Sequence, residues 1–266
     1  HSKAQFNLGN IYFEGKYVIK DINKAIHYYT LAASQNLSQA QFTLGFTYYE
    51  GKYVERDINK TLHYYTLAAN QNHPYAQFSL GNIYFEGKHV TKDIQKAIYY
   101  YSLASLQSIA DAQLILGYIY SNDDIVKHDI NKAIHYYSLA ANQNNSLAQF
   151  NLGKIFYEGK YIARDINQAI YFEGVGIPID INKAIQYFTL SANQNHLESQ
   201  ILLGTLYYEG RYIERNINKA IHYYSLAANQ NNPNAQFILG DIYDRGQSID
   251  CDMVKAIYYY SLAAKQ

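Results

Sequence analysis

The chain has 266 residues and no formal net charge, with 22 lysine and arginine residues against 22 aspartate and glutamate residues. This balance excludes the basic field that binds a nucleic-acid backbone, and a single cysteine, Cys251, excludes an internal disulfide and a thiolate metal cluster. No apolar run in the sequence approaches the roughly 18 residues of a membrane span. We therefore expect a cytoplasmic protein with no cofactor, no nucleic-acid partner and no membrane insertion.

The sequence repeats itself with a period of 36 residues. A Leu-Gly pair begins at Leu8 and recurs at this interval through Leu152, and again between Leu203 and Leu239. A fixed period of roughly 20 to 50 residues is typical of solenoids, in which each unit packs only against its neighbours. The period predicts one array over residues 1–266, with units that begin near residues 4, 40, 76, 112, 148, 199 and 235.

Each unit predicts a pair of helices. From Ala4, apolar residues recur at i, i+4, i+7 and i+8, which is the spacing of one helical face, so residues 2–14 predict a helix A. Gly15 follows the last periodic residue and suits the left-handed end of a helix. Helix B then begins at Asp21, whose carboxylate can cap the first turn.

A glycine stands in the middle of each predicted helix A. Inside a helix, glycine costs about 1 kcal/mol relative to alanine. Because this cost is repeated at Gly9 and its six equivalents, it predicts a close approach of the facing helix. The large side chain that needs this space is expected to be the equivalent of Tyr28 or Tyr29.

The stretch AQFNLGNIYFEGKYVIKDINKAIHYYTLAASQN, which begins at Ala4, resembles the Sel1-like repeat, a relative of the tetratricopeptide repeat. The family's pattern is Ala-x3-Leu-Gly-x2-Tyr-x2-Gly-x-Gly-Val, then Asp-x2-Lys-Ala, an aromatic pair and Ala-Ala, and the resemblance covers essentially the whole chain. It implies an all-α, right-handed superhelical solenoid of antiparallel helix pairs that serves as an adaptor or scaffold for other proteins. The copies depart from the pattern at the second loop glycine, which is replaced by Tyr17, Tyr53, His89, Ile125, Tyr161, Tyr212 and Ser248.

One step in the array is irregular. Gly153 and Gly204 are 51 residues apart, and "DINQAIYF" at Asp165 is echoed by "DINKAIQYF" at Asp180. Compared with the 72 residues of two full units, this step lacks 21, so we expect a truncated unit or missing sequence at residues 165–180. In a continuous chain, a short helix over residues 165–173 would stand in for two helices. Helices after Asp180 would then run opposite to their equivalents, unless "GVGIPI" folds back, and the groove would break into segments 4–164 and 180–266.

No arrangement of residues predicts a catalytic or metal site. His27, His63, His135 and His222 recur at one repeat position, but equivalent residues of successive repeats lie roughly 10 Å apart, whereas metal ligands must converge. These histidines predict a solvated stripe. The repeated Asp-x-x-Lys motif is explained by helix capping and surface pairing, and no nucleophile has a base and an orienting group beside it. We expect a protein that is not an enzyme.

Two rows of helix A residues are candidates for binding a partner protein. The residue after each Leu-Gly pair varies strongly, so this row is expected to face solvent or a partner. By analogy with tetratricopeptide arrays, helix A lines the concave groove, where a row of rings stands beside a row of glutamates. Either the rings anchor an extended peptide while the glutamates select basic or amide-rich segments, or the rings pack between helices and the glutamates are merely solvated. The candidates are Asn10, Phe13, Glu14, Phe46, Tyr49, Glu50, Asn82, Phe85, Glu86, Tyr118, Lys154, Tyr157, Glu158, Thr205, Tyr208, Glu209 and Asp241.

These observations favour a scaffold whose solenoid surface binds one or more proteins within a larger assembly. Two alternatives stay open: a targeting or regulatory arm of an enzyme whose catalytic domain lies outside this chain, and a luminal quality-control adaptor. Apolar residues mark the first helix, at Leu8 and Ile11, and the last, at Ile257 and Tyr258. Because solenoids end in polar capping repeats, further repeats or a partner are expected to cover both ends.

Overall fold

The computed structural model describes residues 1–159, 179–246 and 249–265. These residues form fourteen α-helices and no β-strand, so the predicted all-α fold is confirmed. Odd-numbered helices correspond to helix A of the repeat and even-numbered helices to helix B. In chain order the helices are α1 (Ser2–Glu14), α2 (Ile22–Ser34), α3 (Ser38–Glu50), α4 (Ile58–Asn70), α5 (Pro74–Glu86), α6 (Ile94–Leu106), α7 (Ala110–Tyr120), α8 (Ile130–Asn142), α9 (Ser146–Glu158), α10 (Ile181–Ala192), α11 (Leu197–Glu209), α12 (Ile217–Asn229), α13 (Pro233–Arg245) and α14 (Met253–Ala263).

The helices belong to two compact units, His1–His128 and Asp129–Gln266. Unit 1 contains α1 to α7, and unit 2 contains α8 to α14. Within each unit, every helix packs against the helices that precede and follow it in the chain. Packing mainly between neighbours in sequence is typical of an α-solenoid.

Local signals fix both ends of the helices, as the sequence predicts. The Asp21 carboxylate accepts a hydrogen bond from the Lys24 backbone N–H at 3.0 Å, and this bond lowers the pKa of Asp21. Aspartates cap α4, α6, α8, α10 and α14 in the same way, and Asn216 caps α12. At the other end of α1, Gly15 has a φ of 69°, a left-handed conformation that glycine adopts without strain.

The mid-helix glycines make room for a buried ring, which is the equivalent of Tyr29. A Cβ atom at Gly45 would lie 2.5 Å from Cδ1 of Tyr65, and Tyr65 is only 1% exposed. The predicted close approach of the two helices is therefore confirmed. The same contact between glycine and ring occurs at Gly9, Gly81, Gly153, Gly204 and Gly240.

A buried glutamine joins each repeat to the one before it within a unit. Gln77 of α5 is 1% exposed, and its Nε2 donates to the Ala69 carbonyl at the end of α4 at 3.2 Å. Its Oε1 accepts a hydrogen bond of 2.6 Å from Gln107, which follows α6, so one side chain links three helices. We call these residues the glutamine ladder. The bond from Nε2 to the preceding helix recurs at Gln41, Gln113, Gln149, Gln200 and Gln236.

Within each unit, stacked rings pack across the helix pairs, where helix A ends and helix B begins. The Tyr12 ring of α1 stacks on Tyr28 of α2 with centroids 5.7 Å apart and an angle of 5° between the planes. The Lys24 ammonium lies 5.2 Å from the Tyr12 centroid and 3.5 Å from the Asp21 carboxylate. The lysine of the Asp-x-x-Lys motif is therefore held by a ring and a carboxylate, which agrees with its predicted structural role.

The irregular step lies between the two helices of one repeat. α9 packs against α10, and Phe188 of α10 fills the space beside Gly153 as Tyr65 does beside Gly45. The Asp180 backbone N–H donates to the Phe156 carbonyl at 2.9 Å, in the same way that Asp21 donates to Tyr12. Among the described helices, A and B continue to alternate across the step, so the helices after Asp180 are not reversed. This is the exception expected where "GVGIPI" folds back, and residues 174–178 of that segment lie outside the described residues.

The position of the extra residues explains this result. In the first repeat, Asp21 stands six residues after the loop glycine Gly15. Asp180, in contrast, stands 21 residues after Gly159. The spacing between Gly159 and Asp180 therefore exceeds the usual one by fifteen residues. A truncated unit or missing sequence at residues 165–180 stays a prediction. The pairing of α9 with α10 also contradicts a break of the array between these two helices. The predicted short helix over residues 165–173 lies outside the described residues.

Candidate protein-binding face

The solvent side of the A helices carries four residues spaced three or four apart, which we call the helix-A face, except that α7 ends at Tyr120 and contains only the first three. In α1 these residues are Lys3, Asn7, Asn10 and Glu14, and the face of every other helix A consists of their equivalents. The variable row and the row of glutamates both belong to this face. The row of predicted rings lies beside it, one residue before the glutamates.

Charge is divided between the two kinds of helix. Among the described helices, the A helices carry nine acidic and three basic side chains. The B helices carry seven lysines and no acidic residue. Helices A are therefore acidic on balance, while the lysines of helices B are offset by the aspartates that cap six of these helices.

The variable row consists of the residues that directly follow the Leu-Gly pairs. Three of its members contact the tyrosine that faces the mid-helix glycine. The Tyr29 hydroxyl donates to Oδ1 of Asn10 at 2.9 Å, and the Tyr101 hydroxyl donates to Oδ1 of Asn82 at 2.8 Å. The hydroxyl of Thr205 lies 3.0 Å from the corresponding tyrosine hydroxyl. Packing thus selects a small polar side chain at these three positions, which the sequence reasoning did not foresee.

The other members of the row extend into solvent or make local pairs. Phe46 and Tyr118 are 49% and 47% exposed, and Lys154 is also exposed. The ring that faces Gly153 is Phe188, which has no hydroxyl to share with Lys154. Asp241 forms an ion pair of 2.7 Å with Arg245 on the same helix.

The predicted ring row is half-buried and joins neighbouring repeats. Phe13 meets the edge of Tyr53 at 5.3 Å between centroids, and Tyr157 meets Tyr212 at 5.6 Å. Tyr53 and Tyr212 stand in the next repeat, at the position where the family pattern has its second loop glycine. The Lys20 ammonium lies over both Phe13 and Tyr53, at 5.2 and 4.9 Å. Tyr49, Phe85 and Tyr208 are half-buried as well.

The predicted glutamates are exposed at the last turn of helix A. They are Glu14, Glu50, Glu86, Glu158 and Glu209. Burial, together with the charge of Glu14, raises the pKa of Tyr29 to about 12. The tyrosine that holds Asn10 therefore keeps its proton, and can donate it, throughout the neutral range.

Ser199 and His196 resemble a nucleophile with its base, but their contacts are structural. His196 Nδ1 lies 3.1 Å from Ser199 Oγ, and the same nitrogen caps α11 by accepting the Ser199 backbone N–H. Ser199 is fully buried, and its hydroxyl donates to Ser191 Oγ at 2.9 Å. A substrate could not reach this hydroxyl, so the pair gives no support to catalysis.

The histidine row is exposed on the B helices. His27 meets the edge of the Tyr28 ring at 5.4 Å, and His63, His135 and His222 make the same contact with their neighbours. Across residues 1–159, 179–246 and 249–265, no group of three potential ligands is placed to hold a metal ion. In that part of the chain, no helix has both the length and the apolar character needed to cross a membrane.

Apolar side chains are also exposed on the first and last described helices. Leu8 and Ile11 of α1 are 39% and 40% exposed, whereas Leu44, the equivalent of Leu8, is fully buried. On α14, Ile257 and Tyr258 are 60% and 58% exposed. That further repeats or a partner cover these surfaces stays a prediction.

Eight matches to the family model described as Sel1 repeat cover residues 2–37, 38–73, 74–108, 110–145, 146–172, 169–196, 197–232 and 233–266. The chain belongs to the Sel1 repeat family. The matches to 146–172 and 169–196 divide at the irregular step, where the structure joins α9 and α10 in one helix pair. The described residues of these two matches contain α9 and α10, which pack against each other.

Two solved structures are similar to this Sel1 repeat chain over its whole length. A Sel1 repeat protein from Oxalobacter formigenes is 28% identical with a TM-score of 0.76, and the match spans 72% of that protein. The c5321 protein of uropathogenic Escherichia coli, a protective antigen with an SLR fold, is 28% identical with a TM-score of 0.61, and the match spans 62% of it. No curated protein matches the sequence.

Proposed function

We propose that this Sel1 repeat chain is a non-enzymatic adaptor that binds other proteins through its helix-A face. The observation that carries the proposal is the division of charge, which leaves acidic side chains on helix A beside the exposed residues Phe46 and Tyr118. Lysines of the B helices are engaged by rings and capping aspartates, so the B helices offer less unpaired charge. A cytoplasmic location, favoured by the single cysteine, is part of the same proposal.

Affinity purification with matched variants tests this proposal. The full chain would be compared with a helix-A variant, Glu50→Lys with Glu86→Lys, in an extract of the source organism. The control is Glu55→Lys with Glu214→Lys, which changes net charge equally at exposed positions outside helix A. We expect proteins recovered by the wild type and the control to be lost from the helix-A variant. Recovery of the same proteins with all three chains, or of none, would contradict the proposal.

A further inference from the structure

We propose that the helix-A face of unit 1 binds an extended, lysine- or arginine-bearing segment of a partner protein, in a site formed by Asn10, Phe46, Asn82 and Tyr118. This inference rests on the proposed adaptor function and specifies the chemistry of its partner. The four residues occupy one position on the successive helices α1, α3, α5 and α7. Amides and exposed rings alternate along this row.

The two asparagines present oriented hydrogen-bond donors. The Tyr29 and Tyr101 hydroxyls donate to Oδ1 of Asn10 and Asn82, and this fixes which end of each amide points to the tyrosine. These are the side-chain hydrogen bonds that the two asparagines make within the described residues. The Nδ2 groups therefore keep their N–H donors for another acceptor. The backbone carbonyls of an extended chain, which has no internal partners for them, are such acceptors.

The rings of Phe46 and Tyr118 supply apolar surface next to the asparagine amides along the row. Phe46 is 49% exposed and Tyr118 is 47% exposed, at the same position of α3 and α7. At a repeat width of roughly 10 Å, the two rings, which stand two repeats apart, are separated by about 20 Å. An extended chain advances about 3.3 Å per residue, so about six residues span this distance. The row therefore suits a segment of about nine residues, long enough to reach from α1 to α7.

Charge complementarity selects the sign of the partner. Glu50 and Glu86 lie one turn beyond Phe46 and Asn82, and both carboxylates are exposed. Neither carboxylate forms an ion pair in the described part of the chain, although the Arg56 guanidinium reaches the Glu50 carbonyl at 3.4 Å. Helices α1, α3, α5 and α7 carry four acidic side chains against Lys3 alone. The loop lysines Lys20 and Lys92 lie over the rings of Phe13 and Phe85, so the attraction for lysine and arginine comes from the exposed carboxylates of Glu50 and Glu86 themselves. The same carboxylates oppose acidic peptides and phosphates.

Unit 2 lacks the same arrangement. Its row has Lys154 on α9, Thr205 on α11 and Asp241 on α13, and Asp241 is already paired with Arg245. No amide and no ring occupies the position in these three described helices. The proposed segment is therefore expected to bind unit 1.

Thr205 suggests a substitution of Asn82 that should fold. At the equivalent position, the Thr205 hydroxyl contacts the hydroxyl of Tyr224, so a threonine at position 82 should keep the contact with Tyr101. Asn82→Thr would remove the two amide N–H donors. Phe46→Ala removes an exposed ring. The matched control is Tyr99→Ala, because Tyr99 is 58% exposed on helix B. Circular dichroism would establish that all three variants keep the helical content of the wild type.

The experiment selects peptides from a random twelve-residue library displayed on phage, with the full chain as bait. Selected sequences are synthesised with a fluorophore, and binding is measured by anisotropy at low and high salt. We expect enrichment of lysine and arginine and a loss of affinity of about tenfold or more for Phe46→Ala. Asn82→Thr is expected to weaken binding about fivefold or more, because the Asn82 amide no longer donates to a backbone carbonyl of the segment. Tyr99→Ala should bind as the wild type does, and Glu50→Gln with Glu86→Gln should reduce the dependence on salt.

Several results would overturn the inference without affecting the adaptor function. Selected peptides that are acidic, or whose binding is insensitive to Phe46→Ala and Asn82→Thr, would show that the segment or the site is a different one. Failure to select any peptide, while the purification experiment still recovers proteins that depend on Glu50 and Glu86, would show that helix A binds a folded surface instead. If the purification experiment also recovers nothing, both proposals fail.

Discussion

Replacing Gly81 with alanine should destabilise the chain, although alanine is the better helix former. Helix propensity alone would stabilise the variant by about 1 kcal/mol. The new Cβ atom, however, would lie 2.6 Å from Cδ1 and Cε1 of Tyr101, where carbon atoms normally stay about 3.5 to 4.0 Å apart. Tyr101 is fully buried, and Phe85 meets its ring at 6.2 Å between centroids, so the ring has little space into which it can move.

The expected magnitude follows from these contacts. Overpacking of a well-packed core costs about 1 to 3 kcal/mol. A displaced Tyr101 would also weaken its hydrogen bond to Asn82, which contributes about 1 kcal/mol. After the gain in propensity is subtracted, the free energy of unfolding should fall by about 1 to 3 kcal/mol.

Urea unfolding followed by circular dichroism measures this change, and hydrogen exchange of the α5 and α6 amides locates it. Exchange is needed because repeat arrays do not always unfold in a single step. Tyr101→Leu and the double variant complete a cycle. The double variant should be less destabilised than the sum of the single changes, because leucine relieves the contact. An unfolding free energy that rises in Gly81→Ala would refute the close approach of the two helices.

Three further changes test other parts of the structure. Gln77→Leu should lower the free energy of unfolding by about 1 to 3 kcal/mol, because it leaves Gln107 without its acceptor and removes a donor from Ala69; an unchanged urea midpoint would contradict a role for the glutamine ladder. Burial lowers the pKa of His73, whose neutral Nδ1 caps α5, so its contribution to stability is full above the unfolded pKa of about 6.5 and declines as pH falls below it. Urea midpoints between pH 7.5 and pH 5 should show this decline. His73→Asn should make the decline smaller, because asparagine does not titrate and is the residue that caps α13. Deletion of residues 160–174 restores the usual spacing before Asp180 and should leave the melting temperature within a few degrees of the wild type; a large loss would assign those residues a structural role.

The repeat period predicted most of the fold because nearly every copy carries the same local signals; α7, which ends before Ser121 instead of a glycine, is the exception. Asp21 and Gly15 specify where helices begin and end through short-range hydrogen bonds and backbone conformation, which depend on only a few neighbouring residues. The cost of Gly9 in a helix also predicted a close contact correctly. The Sel1 resemblance then supplied the order in which the helices pack.

The irregular step could not be resolved from sequence because two nearly identical segments compete for one position. Both "DINQAIYF" and "DINKAIQYF" carry the cap and the apolar pattern of helix B, so periodicity does not distinguish them. The structure distinguishes them by tertiary contact, since Phe188 occupies the space beside Gly153.

The candidate face was predicted in outline, while its internal hydrogen bonds were not. Nothing in the local sequence shows that Asn10 bonds to Tyr29, because the two residues are nineteen apart and on different helices. The glutamine ladder left a visible signal, a glutamine at one position of every helix A, but its partner is a backbone carbonyl that no residue type reveals. Phe13 likewise depends on Tyr53 of the following repeat.

The glutamine ladder makes the joints between repeats interchangeable. Six joints within the two units use the same donor and the same kind of carbonyl, at distances of 3.1 to 3.2 Å. A gene that gains or loses 36 codons by recombination between copies would recreate an existing joint instead of a new one. The number of repeats can therefore change over generations without a redesign of the core, and each added copy brings a new residue to the variable row.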